Sequence, residues 1–246
     1  MNCEGILKSY PRERPSLSQA HQKHYVTQYK INREGASAID KAAKILEKWM
    51  HKKVSSQKGE AILELGAGTL NHLEYEPNIE AYDIVEPFKS LYEDKTQIGC
   101  IRAAYDTIQA IPSINRYRRI VSIAVLEHLT NLPADVAKSA LLLEDGGVFQ
   151  AGIPSEGGLL WWLGWRFSTG IAYYLRTGLD YGVIMRHEHV SNARDIIQIV
   201  NYFYDDVEIT RFPLPFLQLS FYTYIEARRP RAMAARKFLD GLEIGA

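Results

Sequence analysis

The segment that most restricts what this chain can fold into is AILELGAGTLNHLEYEPNIEAYDIVEP, residues 61–87. Its first five residues are apolar except for Glu64, the composition of a short strand buried on both faces. Gly66 and Gly68 break the run, and a second apolar stretch, AYDIV at 81–85, ends against Glu86. A strand, a glycine turn, a second strand and an acid open an α/β sheet, and such sheets bind ligands outside the carboxyl ends of their strands. Glycine at the turn admits close approach of a ligand to the backbone. The carboxylate of Glu86 can accept both hydroxyls of a ribose.

The finer details favour an adenosyl cation over a dinucleotide. G-x-G-x-x-G sets a pyrophosphate against a helix N-terminus, yet position 71 is Asn and the third glycine is missing. Glu64, just before the turn, would repel a pyrophosphate and attract a positive ligand. S-adenosylmethionine has a sulfonium, an ammonium and no phosphate, so it is the cofactor expected. NAD, and with it an oxidoreductase, is the disfavoured alternative.

Strand and helix signals alternate along the rest of the chain. Ile39, Ala42, Leu46 and Trp49 space an amphipathic helix over 36–50. PFKSLYED (87–94) predicts a short helix with Pro87 in its first turn. IGCIRA (98–103) and RRIVSIAVL (118–126) predict a third and a fourth strand. PADVAKSALLLE (133–144) predicts a helix stopped before Gly146 and Gly147, and GVFQAGI (147–153) a fifth strand. SNARDIIQIVNYF (191–203) is a helix capped by Ser191. VEITRF (207–212) and LSFYTYIEAR (219–228) are successive strands, hence an antiparallel pair, and 230–246 is a trailing helix. Residues 154–190 exceed an ordinary connection, so the spacing predicts a helical insertion after the fifth strand. The expected architecture is α/β: a seven-stranded, mostly parallel sheet with helices on both faces and the last strand antiparallel. The expected organisation is an arm over 1–35, a main domain over 36–229 and a tail helix over 230–246.

Charge and cysteine content narrow the partners. Lys plus Arg and Asp plus Glu number 29 each. A nucleic-acid acceptor needs a basic surplus, so none is expected, and Arg228, Arg229 and Arg231 read as a solvated terminus. Cys3 and Cys100 lack metal-type spacing and build no disulfide framework. Together with MNCEGILKSYPRERP, which has no apolar signal region, this predicts a cytoplasmic protein. GLLWWLGWRFSTGIAYYL, from Gly158, carries Arg166 and polar residues, so no stable membrane insertion is expected.

Four stretches in order, ILELGAGTL, YDIVEP, IVSIAVLEHL and LLLEDGGVFQAGIP, resemble the successive motifs of class I S-adenosylmethionine-dependent methyltransferases. The resemblance implies a Rossmann-like fold and methyl transfer. It implies that Glu64, Gly66 and Gly68, with Ala67 and Thr69 inside the turn, hold the methionine part of the cofactor. Glu86, followed by Pro87, is the implied ribose-binding acid. Asp106 is the implied adenine contact, and Ala124 and Leu126 lie near the methionine moiety. The family's frequent third glycine is Leu70 here, so a tighter or differently angled turn is expected. RTGLDYGVIMRHEH also resembles bacterial methyltransferases associated with surface-polysaccharide synthesis, which implies a small-molecule or glycan acceptor, methylated on a hydroxyl. A non-catalytic adenosyl-binding or scaffold protein on the same fold is the alternative.

Methyl transfer releases a neutral thioether, so it needs no acid, and positioning supplies much of the rate. A hydroxyl acceptor calls for a base. His189 in RHEH is the first candidate, because relatives often carry a histidine before this helix and a neutral imidazole takes a proton near pH 7. His128 in LEHL is the second; it reads equally as an anchor for the next helix. His187, Glu188 and His189 lack a further ligand, so no metal is expected. His72 reads as a surface or cofactor-shelf residue. Trp161, Trp165 and Arg166 in the insertion, with His187, are candidate substrate contacts, since aromatic faces stack on sugars and a guanidinium holds anions. The insertion also suits a helical pair that packs on the sheet, with a lipid-facing patch as a third reading. Tyr25, Tyr29 and Arg33 of the arm can fold over the cofactor or form an exposed helix face.

Overall fold

The computed structural model describes residues 3–25, 47–56, 58 and 60–244. The helix expected over 36–50 lies largely outside the described residues, as do Tyr29 and Arg33; positions 47–50 belong to a helical stretch that runs to 54. Seven strands form one sheet: β1 (Glu60–Leu65), β2 (Ile79–Val85), β3 (Ala103–Tyr105), β4 (Tyr117–Ile123), β5 (Leu143–Pro154), β6 (Tyr204–Pro213) and β7 (Ser220–Pro230). Their order is β3-β2-β1-β4-β5-β7-β6. The first five pair in parallel, and β7 runs antiparallel to both β5 and β6. The strand order therefore reverses between β1 and β4, which opens a crevice at their carboxyl ends.

Alternation along the strands gives each face its own core. Leu63, Leu65, Ile120, Phe149, Ala151 and Ile225 pack in one buried cluster with apolar residues of α1 (Cys3–Leu7), α2 (Leu132–Leu142), α6 (Ala193–Phe203) and α7 (Ala232–Ile244). Ile62, Tyr82, Ile84, Val121 and Tyr224 pack in another with Val54. That second face also holds a buried polar chain. Arg119 donates to Glu76 twice, at 2.9 Å each, and to Gln150 at 3.1 Å, while Gln150 donates to the Tyr224 hydroxyl at 2.7 Å. His72 reaches the same Glu76 at 2.9 Å, so the crossover from β1 to β2 is tied to β4 from beneath. His72 is thus a buried structural residue, not a surface one.

The insertion after β5 is helical: α3 (Leu159–Trp165), a π-turn (Arg166–Gly170), α4 (Ile171–Thr177) and α5 (Tyr181–Glu188). It carries a small core of Tyr173, Tyr181, Ile184 and Met185, against which Trp161, Trp165 and Tyr25 pack. Three local expectations are corrected. Residues 87–94 form a 3-10 turn only at Lys89–Leu91, and within 98–103 the first three residues belong to a 3-10 turn, Thr96–Cys100, with β3 starting only at Ala103. Tyr92 is the one buried residue of 87–94 and Ile98 is exposed, so neither segment has an apolar face to sustain a longer element. Helix α6 is capped by Asn192, whose side chain accepts from Arg194 N and Asp195 N; Ser191 instead meets the Tyr10 hydroxyl at 2.6 Å in the core. Among the described residues no helix is long and apolar enough to cross a membrane.

Candidate active site

The glycine turn closes the end of β1. Gly66 sits at φ 72° and donates to Val85 O at 2.8 Å. A Cβ there would lie 2.3 Å from Val125 Cγ2, so packing against the loop after β4 requires glycine. Gly68, at φ 51°, would point a Cβ into open space. Leu70 is fully buried yet keeps φ 64°, so the missing third glycine changes the side chain and not the backbone class. What differs is the continuation: a 3-10 helix, Asn71–Tyr75, follows the turn.

Glu86 is buried and stitches the turn to the loop after β2. Its Oε2 accepts from Gly68 N at 2.8 Å and its Oε1 from Phe88 N at 3.0 Å. Each carboxylate oxygen retains a second lone pair. Asp106 is exposed at the end of β3; burial first, then the carboxylates of Asp106 and Glu86, raise the pKa of the Tyr92 hydroxyl, which marks the three as neighbours. Thr69 Oγ1 donates to Asn71 Oδ1 at 2.9 Å, Ala67 is buried and Pro87 is exposed. Ala124 ends β4 in a left-handed conformation, φ 54°, held by its N–H on Gly152 O at 2.7 Å. The Leu126 side chain belongs to the main core, not to the crevice. Glu64 lies beneath the turn, not open to it: Tyr82 donates its hydroxyl to Glu64 at 2.8 Å, and burial raises the carboxyl pKa.

Beyond the ends of β4 and β5 a second group of side chains converges. Val190 and Ser191 donate their N–H groups to Glu127 O at 2.9 and 3.1 Å, which draws the residues before α6 against the LEHL loop. The rings of His128 and His189 then meet edge to face, 4.9 Å between centroids. His189 Nδ1 bonds Glu156 Oε2 at 3.0 Å, and Trp161 Nε1 donates to the same oxygen at 2.6 Å. Trp161 also stacks on His189 and leans on Tyr222. His128 Nδ1 donates to Glu188 O at 2.9 Å. Glu127 is buried beside them, and that burial pushes its carboxyl up to about 6.

The other candidates stand apart. Trp165 packs on Tyr181 inside the insertion, and Arg166 is paired with Asp180 at 2.6 Å. His187 Nδ1 bonds Pro15 O at 2.8 Å and faces the arm. Tyr25 donates to Glu188 Oε1, and Arg14 donates to His128 O at 3.0 Å, so the arm fastens the LEHL and RHEH segments together. Glu127, Glu156 and Tyr222 escaped sequence reasoning. Glu127 was visible in LEHL next to His128, whereas Glu156 and Tyr222 have no local signal, since only the β5–β7 pairing brings them near. Two shallow hollows of 330 and 380 Å³ lie at the amino-terminal ends of the strands, lined by Glu60 and Arg118 and by Ala81 and Arg102, away from all of these groups.

The backbone can be set beside solved structures. The plantazolicin methyltransferase BpumL, in complex with S-adenosylhomocysteine, matches with a TM-score of 0.56 at 13% identity, over 92% of this chain and 99% of that one. The fold is that of S-adenosylmethionine-dependent methyltransferases. A possible histamine N-methyltransferase from Thermotoga maritima also matches this methyltransferase fold, with a TM-score of 0.56 at 10% identity over 85% of this chain and 98% of that one. So does the N-methyltransferase NodS from Bradyrhizobium japonicum with S-adenosylhomocysteine, at 0.50 and 14% over 94% and 100%. No family model matches the chain, and no curated protein matches it in sequence.

Proposed function

We propose that this protein is an S-adenosylmethionine-dependent methyltransferase acting on a hydroxyl of a small molecule or glycan. The observation that carries the reading is Glu86, a buried carboxylate bonded to Gly68 N at the switch point of a methyltransferase fold. In this reading Glu86 takes the ribose hydroxyls on its remaining lone pairs. Gly66, Ala67, Gly68, Thr69, Ala124 and the backbone of Leu126 border the methionine part. Asp106 faces the adenine, Pro87 shapes the loop after Glu86, and Glu64 supports the turn from below through its bond with Tyr82.

At the acceptor end, the Glu156 carboxylate orients His189 through Nδ1 and leaves Nε2 to take the hydroxyl proton. His128 supports that ring edge-on. Trp161 offers an aromatic face to a sugar. Residues 154–190 act as a lid and the arm as its strap. Trp165, Arg166 and His187 serve the lid's own packing, given the partners described above. The absence of a basic surplus favours a glycan or small molecule over nucleic acid.

Incubation with methyl-labelled S-adenosylmethionine and a panel of sugars, polyols and amines tests this. The expected product is a base-stable methyl ether. Label on amines alone would replace the hydroxyl by an amine acceptor. Tight S-adenosylhomocysteine binding without turnover on any acceptor would leave a non-catalytic adenosyl-binding protein, and tight NAD binding would favour an oxidoreductase.

A further inference from the structure

We propose that Glu127, His128 and His189 form a binding site for one first-row divalent cation. Each offers one ligand atom, and these atoms all lie within 4.8 Å of one another. RHEH alone lacks a ligand set; the fold supplies two more groups from the loop after β4. Tetrahedral bonds near 2.1 Å set ligand atoms about 3.4 Å apart. The cluster therefore has to contract by up to about 1.4 Å, within reach of small side-chain rotations.

Two independent observations point to a ligand. The first is Glu127 Oε2, which is buried without a hydrogen-bond partner in a residue 1% exposed. A buried carboxylate with an unpartnered oxygen is costly, and a cation bound to that carboxylate would offset its charge. The second is the tautomer of both rings. Glu188 O can only accept, so His128 Nδ1 carries the proton. The Glu156 carboxylate likewise receives the Nδ1 proton of His189. In the neutral rings each Nε2 then keeps its lone pair, and that of His128 lies 3.8 Å from Glu127 Oε1. Metal-binding imidazoles are commonly held in this way, by an acceptor on the far nitrogen.

Two imidazoles and one carboxylate suit manganese, iron, cobalt or zinc; magnesium and calcium prefer all-oxygen sites. Three protein ligands leave a position open toward the acceptor pocket. The inference rests on reading this pocket as the acceptor end. It revises one role there: in the loaded protein His189 is a ligand, and an acceptor oxygen meets the cation instead of the imidazole.

Chelator-stripped protein titrated with Zn²⁺ by calorimetry and with Co²⁺ by visible absorption decides the matter. One equivalent per chain is expected, with a Kd of about 1 μM or below. Glu127→Gln and His128→Gln should each weaken binding at least about tenfold, and Glu156→Gln about tenfold through His189. His24→Gln, at an arm histidine outside the three-residue cluster, should change nothing. Absence of stoichiometric binding, or binding undiminished in both Glu127→Gln and His128→Gln, overturns the proposal. S-adenosylhomocysteine titration of the same samples reports folding and separates the two readings. Cofactor binding without cation binding defeats the cation alone, and cation binding without cofactor binding defeats the methyltransferase reading alone. If Glu127→Gln does not fold, His128→Gln and Glu156→Gln carry the test.

Discussion

Leu70 keeps a left-handed backbone that glycine would adopt freely, and two magnitudes explain why a leucine survives there. The conformation costs about 1–2 kcal/mol. Truncating a fully buried leucine costs about 2–5 kcal/mol. Packing wins, so Leu70→Gly should destabilise the protein by about 1–3 kcal/mol in denaturant unfolding, although it introduces the glycine that the motif resemblance implies. The two glycines before it should separate fold from binding. Gly66→Ala meets Val125 and should lower stability. Gly68→Val has open space on the protein side but strains the left-handed backbone at φ 51°, so it should lose about 1–2 kcal/mol of stability, remain folded and lose S-adenosylhomocysteine affinity; normal binding in that variant would make the turn merely structural. At the acceptor end, His189→Ala should lower kcat by about 10²–10⁴ while cofactor affinity holds. Full turnover in this variant would remove His189 from the chemistry.

Among elements, legibility followed the strength of the local pattern. The strands of the sheet could be read from their apolar runs because both faces bury them, and the run ending in Glu86 placed its acid at the crevice. Short 3-10 turns such as Lys89–Leu91 leave no periodic trace, and Asn192 and Ser191 are chemically equivalent caps until the Tyr10 hydroxyl claims the serine. The proposed acceptor end was half legible. His128 and His189 stand in recognisable motifs, but their union depends on Glu127 O accepting from Val190 and Ser191, a tertiary contact. The aromatic face of Trp161 is legible in the sequence; its bond to Glu156 comes from the turn that opens the insertion. Asn192→Ala should cost about 1 kcal/mol of stability through loss of the α6 cap. Trp161→Ala should raise the acceptor KM with cofactor affinity unchanged, and an unchanged KM would confine Trp161 to packing.

For the molecule as a whole, the polar chain under the sheet makes stability depend on acidity. Burial, and secondarily His72, lowers the His51 pKa to about 4. The folded state therefore holds this ring neutral. Its contribution is complete above the unfolded value near 6.5 and is lost as pH falls through about 4. Between pH 7 and 4.5 this amounts to about 2 kcal/mol, so His51→Phe, which keeps the ring stacked on Tyr75, should lose that much less stability on acidification. Equal acid sensitivity of the two proteins would assign the effect to other groups.

The central claim is that the glycine turn and Glu86 hold S-adenosylmethionine. Calorimetric titration of wild type and Glu86→Ala with S-adenosylhomocysteine, alongside NAD, tests it most directly. One site is expected in the wild type, with a loss of about 2–4 kcal/mol in the variant from two charge-assisted hydrogen bonds and no tight binding of NAD. Unchanged affinity in Glu86→Ala, or tight NAD binding by the wild type, would contradict the claim.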